Sequence, residues 1–373
     1  MDKAKTTIKT QSPGRINIIG EHTDYNNGFV LPAAIDKKTV FSLRRNGKPF
    51  ECTITALNVG EAHTFRLDGL VRAGNGWPNY VMGVVEELQK LGAVLAGFDG
   101  EFEGDVPIGG GLSSSASLEC SLAFALNELF GLGLEKWQMI KASQMAEHHF
   151  VGIKCGIMDQ FASMMGRKDH VMLLDCRSLE FQYFPLELGD YQLLLLNTNV
   201  SHALASSEYN TRRAECEEGV ELLRYLHPGV SSLRDVRPKQ VEAARQFMSD
   251  HIYRRCLHVT TENMRVHDAT KALLAGDQRK LGELIYQSHY SLRHDYEVSC
   301  PELDFLVDLT RDKDYIAGAR MMGGGFGGCT INIIEKARTE EFIDLAAAAY
   351  RLRFGVDLTP YTVSVEDGTG IVV

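Results

Sequence analysis

The segment Pro107-Ile108-Gly109-Gly110-Gly111-Leu112-Ser113-Ser114-Ser115 stands between a strand pattern at residues 97–106 and an amphipathic helix pattern. Its glycines allow the backbone to approach a ligand closely and to turn successive N–H groups toward it. The following helix adds unpaired N–H groups and the positive end of its dipole, so the two together form an anion site. The alternative is a flexible turn whose serines cap the helix, but three glycines and three serines exceed what a cap requires. We therefore predict that this segment binds phosphate.

This glycine-rich segment differs from a P-loop, because no lysine follows its glycines. Without that lysine, a divalent cation must supply much of the charge that balances a bound phosphate. Mg²⁺ suits this role, since it accepts a hydroxyl and a carboxylate and keeps phosphate oxygens and water as its other ligands. The segment therefore predicts a magnesium–phosphate site.

Strand and helix patterns alternate along the rest of the chain without internal repeats or flexible linkers. Strand patterns occupy residues 6–10, 16–19, 39–44, 50–57, 171–175, 181–186, 192–196, 317–322, 329–334 and 361–365. Helix patterns run from Trp77 to a stop at Gly92, from residue 118 to a stop at Gly131, and over residues 134–151, most of 207–311, and 339–354. This mixed order predicts an α+β fold with two lobes, residues 1–190 and 191–373.

The composition excludes several classes of protein. Hydrophobic residues make up 44% and charged residues 24% of the 373 residues, which excludes collagens, coiled coils and disordered chains. The 39 basic and 49 acidic residues give a net charge of −10, so we expect no nucleic-acid or anionic-membrane partner. No apolar run reaches the roughly 18 residues of a membrane span, and the first residues lack the apolar core of a signal peptide. Eight scattered cysteines without a Cys-x-x-Cys pair indicate reduced thiols, so we expect a cytoplasmic protein without zinc.

A second glycine cluster, Gly323-Gly324-Gly325-Phe326-Gly327-Gly328, matches the dinucleotide-binding pattern G-x-G-x-x-G by letter. That pattern requires a helix after the glycines, whereas residues 329–334 form a strand pattern. We therefore predict a β-hairpin turn here, with the further hypothesis that the turn borders a nucleotide or sugar pocket.

Polar and ionisable side chains alternate with apolar residues and glycines between residues 12 and 25. The polar members are Arg15, Asn17, Glu21, His22 and Asp24. One interpretation is a solvated loop with a surface ion pair, which would add little stability. The other is a set of hydrogen-bond partners for a polyhydroxylated ligand, and the sequence alone leaves both open.

The aspartate Asp159 stands in the apolar, glycine-flanked segment Cys155-Gly156-Ile157-Met158-Asp159-Gln160, and Glu147 precedes this segment on a helix. A carboxylate in such a segment is costly unless it is paired or functional. The alternative, that Asp159 caps a helix over residues 160–165, has equal weight from the sequence. His148 and His149 lack the H-E-x-x-H spacing of a zinc site and are interpreted as ordinary helix residues.

These segments together resemble the GHMP small-molecule kinases, and within them the galactokinase family. Residues 13–32 resemble the sugar motif of that family, residues 107–117 its nucleotide motif, and residues 318–330 its third motif. Residues 155–160 and 206–209 also match. The resemblance extends over nearly the whole chain and is specific, because four separate motifs would otherwise have to coincide.

The resemblance implies an N-terminal lobe similar to ribosomal protein S5 domain 2, a ferredoxin-like C-terminal lobe, and an active site between them. It implies ATP-dependent phosphorylation of the C1 hydroxyl of D-galactose, with ATP as co-substrate and Mg²⁺ as cofactor. We expect the protein to act as a monomer on these small molecules. The alternatives are a related kinase for N-acetylgalactosamine, arabinose or a uronic acid, and a non-catalytic sensor of galactose and ATP. A mevalonate- or homoserine-type kinase would leave the sugar motif unexplained.

The resemblance also implies a role for each residue of these motifs. Carried over by position, the residues that hold the sugar are Glu21, His22, Thr23, Asp24, Gly156 and Tyr209. Residues 109–115 would cradle the ATP phosphates, and Ser115 and Glu147 would bind Mg²⁺. Asp159 would be the catalytic base, Arg15 would lie between that base and the transferred phosphoryl group, and Trp77 would flank the adenine.

Overall fold

The computed structural model describes residues 7–74, 76–201 and 205–372. Residue 6 of the first predicted strand and the side chain of Ser206 lie outside the described residues. The described strands are β1 (Ile8–Asn17), β2 (Phe29–Val30), β3 (Pro32–Arg45), β4 (Glu51–Ala56), β5 (Glu61–Arg66), β6 (Phe98–Gly104), β7 (His170–Asp175), β8 (Phe181–Pro185), β9 (Tyr191–Ser201), β10 (Ile316–Met321), β11 (Gly327–Glu335), β12 (Thr359–Val363) and β13 (Gly370–Ile371). The described α-helices are α1 (Trp77–Lys90), α2 (Ser114–Phe130), α3 (Lys136–Ala146), α4 (Met158–Met165), α5 (Ala205–Leu226), α6 (Pro238–Ala244), α7 (Asp250–Leu274), α8 (Gln278–His294), α9 (Pro301–Asp308) and α10 (Thr339–Phe354).

The first half of the chain supplies most of a six-stranded sheet with the order β13-β1-β3-β6-β4-β5. Its strands pair antiparallel, except that β4 and β6 are parallel. α2 lies against β1 and β3, and α1 and α3 pack on α2. The predicted apolar face of α1 is buried through Val81, Val84, Val85 and Leu88. Each such side chain stabilises the fold by about 1.5–3 kcal/mol when it leaves water, so this face holds the helix layer in place.

The second half of the chain builds a four-stranded antiparallel sheet with the order β10-β11-β9-β12. α8 packs along β10, and α7 contacts both α5 and α8. Ile16, Ile18 and Leu31 of the first half share one buried cluster with Val266 of α7 and Ile331 of β11. This shared core holds the segment that follows β1 against the second half of the chain.

Two glycine-based predictions are confirmed by the backbone. α2 ends at Phe130, and Gly131 takes the left-handed φ of +63° that stops a helix. The predicted hairpin turn at residues 323–328 joins the antiparallel strands β10 and β11. These boundaries depend only on local backbone chemistry, which is why the pattern of residues was sufficient to find them.

Two predicted elements differ in extent from the structure. The strand expected over residues 16–19 stops at Asn17, because the backbone turns at Gly20, whose φ is +107°. The helix expected over residues 134–151 changes at Ala146 into one π-helical turn, Glu147–Val151. Such a turn often occurs at a functional site, and here it begins with the predicted metal ligand Glu147.

The proposed lobe boundary at residue 190 directly precedes β9, which belongs to the second sheet. The last strand, β13, returns to the first sheet, where Ile371 pairs with Thr10 and Gly370 pairs with Gln11. The division at residue 190 stays a prediction, and the end of the chain packs with the first lobe. Among the described residues, no helix is both long and apolar enough to cross a membrane.

Candidate active site

A cavity of about 160 Å³ lies where the two halves of the chain meet. It is bordered by the loop after β1, the N-termini of α2 and α4, the π-helical turn, α5, and the hairpin turn between β10 and β11. Its lining residues are Arg15, Glu21, His22, Asp24, Ser115, Glu147, Ile153, Cys155, Gly156, Met158, Asp159, Tyr209, Gly323 and Gly324. The structure therefore brings together residues that are separated by more than 300 positions in the sequence.

Arg15 and Asp159 form a two-point ion pair at this cavity. Arg15 Nε donates to Asp159 Oδ1 at 2.8 Å, and its Nη2 donates to Oδ2 at 3.0 Å. The Arg15 side chain is 4% exposed, whereas that of Asp159 is 28% exposed and reaches the cavity. Ser113 Oγ donates a third hydrogen bond to Asp159 Oδ2 at 2.5 Å. This arrangement leaves a charged carboxylate with a fixed orientation at the cavity surface.

The alternative for Asp159, that it caps the helix, is wrong. Asp159 lies inside the first turn of α4, whose N-cap is Ile157, and no side-chain cap hydrogen bond is present there. The alternative for the serines is likewise wrong for Ser113, because its hydroxyl bonds to Asp159 and makes no cap hydrogen bond to α2.

The glycine-rich turn lies against the hairpin turn of the second half. Gly111 has a φ of +73°, and a Cβ placed on it would lie 3.1 Å from the Met322 carbonyl oxygen. Its own carbonyl accepts a hydrogen bond from Arg15 Nη1 at 2.5 Å. The first turn of α2 follows at Ser114, and its N–H groups have no partner inside the helix. The turn thus connects an anion-binding helix end directly to the Arg15–Asp159 pair.

Ser115 and Glu147 form the second polar pair of the cavity. Ser115 Oγ donates to Glu147 Oε1 at 2.9 Å, and Gln160 Nε2 reaches the same oxygen at 3.3 Å. Burial, together with the charge of Asp159, raises the pKa of Glu147 to about 7. Gln160 also contacts the fully buried carboxyl group of Glu119 at 3.2 Å.

This donor set fits Mg²⁺ bound together with phosphate. A hydroxyl and a carboxylate border the cavity side by side, and burial together with the charge of Asp159 raises the pKa of Glu147, so a nearby cation would favour its ionised form. No cluster of three or more His, Cys, Asp and Glu side chains that could hold a metal occurs within residues 7–74, 76–201 and 205–372. An ion here would therefore need further ligands, which phosphate oxygens and water provide.

Glu21 is anchored by a residue that the sequence analysis did not single out. Arg320 Nη2 donates to Glu21 Oε1 at 3.0 Å, and the Gly323 N–H donates to the same oxygen at 2.9 Å. Arg320 has no exposed surface, and it also donates to the carbonyls of Ile18, Met321 and Asn17. An arginine within the otherwise apolar strand pattern of residues 316–322 was the signal that could have identified it.

Asp24 lies so close to Gly156 that only glycine fits there. A Cβ on Gly156 would lie 1.7 Å from Asp24 Oδ2, well inside the contact distance of two heavy atoms. Burial and the charge of Asp159 raise the pKa of Asp24 to about 7. The absence of a side chain at Gly156 thus gives the Asp24 carboxylate its place beside the cavity.

His22 and Tyr209 complete the polar side of the cavity. The His22 ring lies 5.5 Å from the Tyr209 ring, and its Nδ1 is 2.8 Å from Tyr25 Oη. Burial and the nearby His258 lower the pKa of His22 to about 3, so this ring is neutral. Its Nε2 is buried and makes no hydrogen bond of normal geometry to the described residues, while a contact with the Gly324 backbone partly offsets the lowering of the pKa.

Eight predicted site residues are not among those that line this cavity: Thr23, Trp77 and residues 109–114 of the glycine-rich segment. Thr23 is fully buried, and its hydroxyl donates to the carbonyls of Gly20 at 2.8 Å and Phe29 at 2.6 Å. The Thr23 side chain therefore holds the loop, and an effect of it on a sugar would be indirect. Leu112 is buried in the shared core, and Trp77 packs edge-on against Phe102 with ring centroids 5.3 Å apart.

The apolar part of the lining was not predicted. It consists of Ile153, Cys155 and Met158, which lie on or beside the loop that precedes α4. His148 and His149, interpreted as ordinary helix residues, lie in the π-helical turn, where His148 contacts the Cys155 carbonyl and His149 contacts Glu87. Gly323 and Gly324 of the second glycine cluster line the cavity, and that this cavity holds a nucleotide or a sugar stays a prediction.

The chain matches known families over most of its length. Residues 79–167 match the GHMP kinases N terminal domain, residues 269–351 the GHMP kinases C terminal region, and residues 2–45 the galactokinase galactose-binding signature. Over 97% of its length it is 42% identical to the galactokinases of Thermosipho africanus and Thermotoga maritima, covering 99% of each. The chain belongs to the galactokinase family.

Solved structures agree with membership of the galactokinase family. Lactococcus lactis galactokinase complexed with galactose matches with a TM-score of 0.95 and 34% identity, covering 99% of this chain and 96% of that chain. Methanococcus jannaschii mevalonate kinase matches with a TM-score of 0.69 at 17% identity, covering 97% and 99%, and shares the fold. The predicted two-lobed α+β GHMP kinase fold is confirmed, and as a galactokinase-family member the chain is a kinase.

Proposed function

We propose that this protein transfers the γ-phosphoryl group of ATP to the C1 hydroxyl of D-galactose, giving galactose 1-phosphate and ADP. The observation that carries the proposal is the Arg15–Asp159 pair, which joins the glycine-rich turn to a cavity lined by Glu21, His22 and Asp24. Membership of the galactokinase family and the match to a galactose complex support galactose as the sugar.

Asp159 is the general base of the proposed reaction. It accepts the proton of the C1 hydroxyl as the C1 oxygen bonds to the γ-phosphorus and the bond from phosphorus to the ADP oxygen breaks. Arg15 pairs with this carboxylate and orients it through two hydrogen bonds. The same guanidinium lies beside the glycine-rich turn, where it stabilises negative charge on the transferred group.

The glycine-rich turn and the first turn of α2 bind the phosphates through backbone N–H groups. Ser115 and Glu147 hold the Mg²⁺, which, when bound, neutralises part of the phosphate charge. Trp77 flanks the adenine as the resemblance implies, from a position outside the described cavity.

The sugar hydroxyls bond to Glu21, His22, Asp24 and Tyr209, and Gly156 provides room for them. Arg320 turns the Glu21 carboxylate toward this site. The proposal includes the expectation that the protein acts as a monomer. All eight cysteines are free, which supports a reducing, cytoplasmic location.

Release of ADP from Mg-ATP tests this proposal directly. We expect turnover with galactose that EDTA abolishes, and much weaker turnover with N-acetylgalactosamine, arabinose, galacturonate, glucose and mevalonate. Faster turnover with another of these sugars would retain the chemistry and contradict the assigned substrate. Tight binding of galactose without any release of ADP would contradict catalysis and favour a sensor.

Binding of galactose is expected to weaken below pH 7. A protonated Asp24 loses its ability to accept two hydrogen bonds, and its pKa in the free protein is about 7. The dissociation constant for galactose should therefore rise by up to about tenfold per pH unit below that pKa. Calorimetric titration without nucleotide, between pH 5.5 and 8, isolates this effect from Glu147, whose pKa is also raised to about 7. A dissociation constant that stays constant over this range would contradict the role of Asp24.

A further inference from the structure

The ring of His22 stands at one end of a buried chain of hydrogen bonds. His22 Nδ1 lies 2.8 Å from Tyr25 Oη, which lies 2.8 Å from Tyr296 Oη. Tyr296 Oη in turn lies 3.1 Å from the sulfur of Cys216. Tyr296 has no exposed surface and Cys216 is 1% exposed, so water does not compete for the bond between them, whereas the Tyr25 side chain is partly exposed. Tyr25, Tyr296 and Cys216 do not border the cavity.

Ring packing holds this chain of hydrogen bonds in place. The Tyr296 ring lies between two imidazoles, with centroid distances of 4.8 Å to His22 and 4.5 Å to His258. Tyr25 meets the His22 ring edge-on at 5.9 Å. His22 itself adopts a left-handed backbone with a φ of +63°, which is uncommon for a side chain of this size. Its ring therefore has one orientation, with Nδ1 toward Tyr25 and Nε2 away from it.

The neutral His22 ring carries one proton, on Nδ1 or on Nε2. If Nδ1 carried the proton, His22 would donate to Tyr25, Tyr25 would donate to Tyr296, and Tyr296 would donate to the sulfur of Cys216. Asn26, the other polar side chain near this sulfur, donates through its Nδ2 to the His22 carbonyl at 2.9 Å. The thiol hydrogen would then have no acceptor among the contacts of the described residues.

The opposite direction satisfies every donor of the chain. Cys216 donates to Tyr296, Tyr296 donates to Tyr25, and Tyr25 donates to the unprotonated Nδ1 of His22. The proton of the ring then lies on Nε2. That buried atom makes no hydrogen bond of normal geometry to the described residues, and the contact of the ring with the Gly324 backbone favours a protonated ring nitrogen. Since His22 borders the cavity, a ligand oxygen there would complete the series.

We propose that Tyr25, Tyr296 and Cys216 are positioning residues that hold His22 in its Nε2–H form, so that the ring donates a hydrogen bond to an oxygen of the sugar. This inference rests on the proposed function for the identity of the ligand. It assigns to His22 the opposite role from Glu21 and Asp24, whose carboxylates accept hydrogen bonds when ionised. One sugar oxygen would therefore be recognised as an acceptor, which a purely acidic pocket could not do.

The protonation of His22 can be measured without any catalytic assay. Protein labelled with ¹⁵N-histidine gives distinct nitrogen signals for the two neutral forms of the ring, and His22→Gln identifies which signals belong to this residue. We expect the Nε2–H form in the wild type. Observation of the Nδ1–H form would overturn the proposal, whether or not the protein phosphorylates galactose.

Tyr296→Phe removes one hydroxyl oxygen from the series of hydrogen bonds and keeps the ring that packs between the two imidazoles. We expect a mixture of the two forms of His22, and a KM for galactose raised about 3–10-fold with little change in kcat. Cys216→Ala provides a second variant if Tyr296→Phe folds poorly, with the same expected direction. Tyr290→Phe is the matched control, since this tyrosine is 61% exposed and takes no part in the series of hydrogen bonds. If both Tyr296→Phe and Cys216→Ala left His22 in the same protonation form as in the wild type, the proposal would be overturned, even if the KM for galactose rose.

Discussion

Asp159→Asn is expected to lower kcat by about 10²–10⁴-fold, which is the usual contribution of a general base. The amide keeps the shape of the carboxylate but cannot take the proton of the C1 hydroxyl. Arg15 retains its hydrogen bond to the Gly111 carbonyl, so the glycine-rich turn keeps one of its anchors. The measurement is ADP release at saturating galactose and Mg-ATP, together with the melting temperature of the variant.

Ser113→Ala is the matched control for this experiment. It removes the 2.5 Å hydrogen bond to Asp159 Oδ2 but leaves the carboxylate and both of its bonds to Arg15. We expect a decrease in kcat of about tenfold, the size of one lost hydrogen bond to a charged group. If Asp159→Asn retained more than a tenth of the wild-type kcat, or lost no more than Ser113→Ala, Asp159 would not be the base.

Arg320→Met is expected to lower the free energy of unfolding by about 3–5 kcal/mol, as removal of one partner of a buried ion pair does. The substitution leaves Glu21 buried without its cation and three backbone carbonyls without their donor. Because these carbonyls include those of Asn17 and Ile18, the loop that carries the sugar ligands also loses its support. Urea denaturation measures the first effect, and the KM for galactose measures the second.

The double variant Arg320→Met with Glu21→Met separates the two effects. Apolar replacement of both partners removes the unpaired charge, so it should recover part of the lost stability. It should not recover binding of galactose, since the Glu21 carboxylate is absent. A loss of less than about 1 kcal/mol in the single variant would mean that the pair contributes no more than a surface salt bridge.

Local chemistry made part of the site predictable. The glycine-rich turn, the stop of α2 at Gly131 and the hairpin turn between β10 and β11 each depend on backbone conformations that few other residues adopt. The position of Asp159 in an apolar segment indicated a functional or paired carboxylate, and its partner proved to be Arg15, 144 residues away. The family resemblance placed these separate signals in one site between the two lobes.

Long-range packing decided what the sequence could not show. Arg320 contacts Glu21 across 299 residues, and no spacing rule connects two such positions. The hydroxyl of Thr23 turns inward because two backbone carbonyls need a donor there, which depends on the path of the chain after Gly20. The pairing of β13 with β1 likewise follows from the tertiary fold, because a two-residue strand has almost no pattern of its own.

The two sides of the sugar cavity are anchored to very different degrees, and this bears on how substrate range could evolve. On one side, residues 17–21 are bonded to the buried side chains of Arg320, Glu262 and His258 in the second half of the chain. A substitution of any of these residues therefore also disturbs the buried core. On the other side, Ile153 and Cys155 lie on a segment without regular secondary structure, and Tyr209 lies near the start of α5. Substitutions should therefore lower stability at the first side, whereas at the second side they should mainly change the contacts with the sugar. Selection for growth on a different sugar would be expected to accumulate its changes at Ile153, Cys155 and Tyr209, while the opposite wall stays as it is.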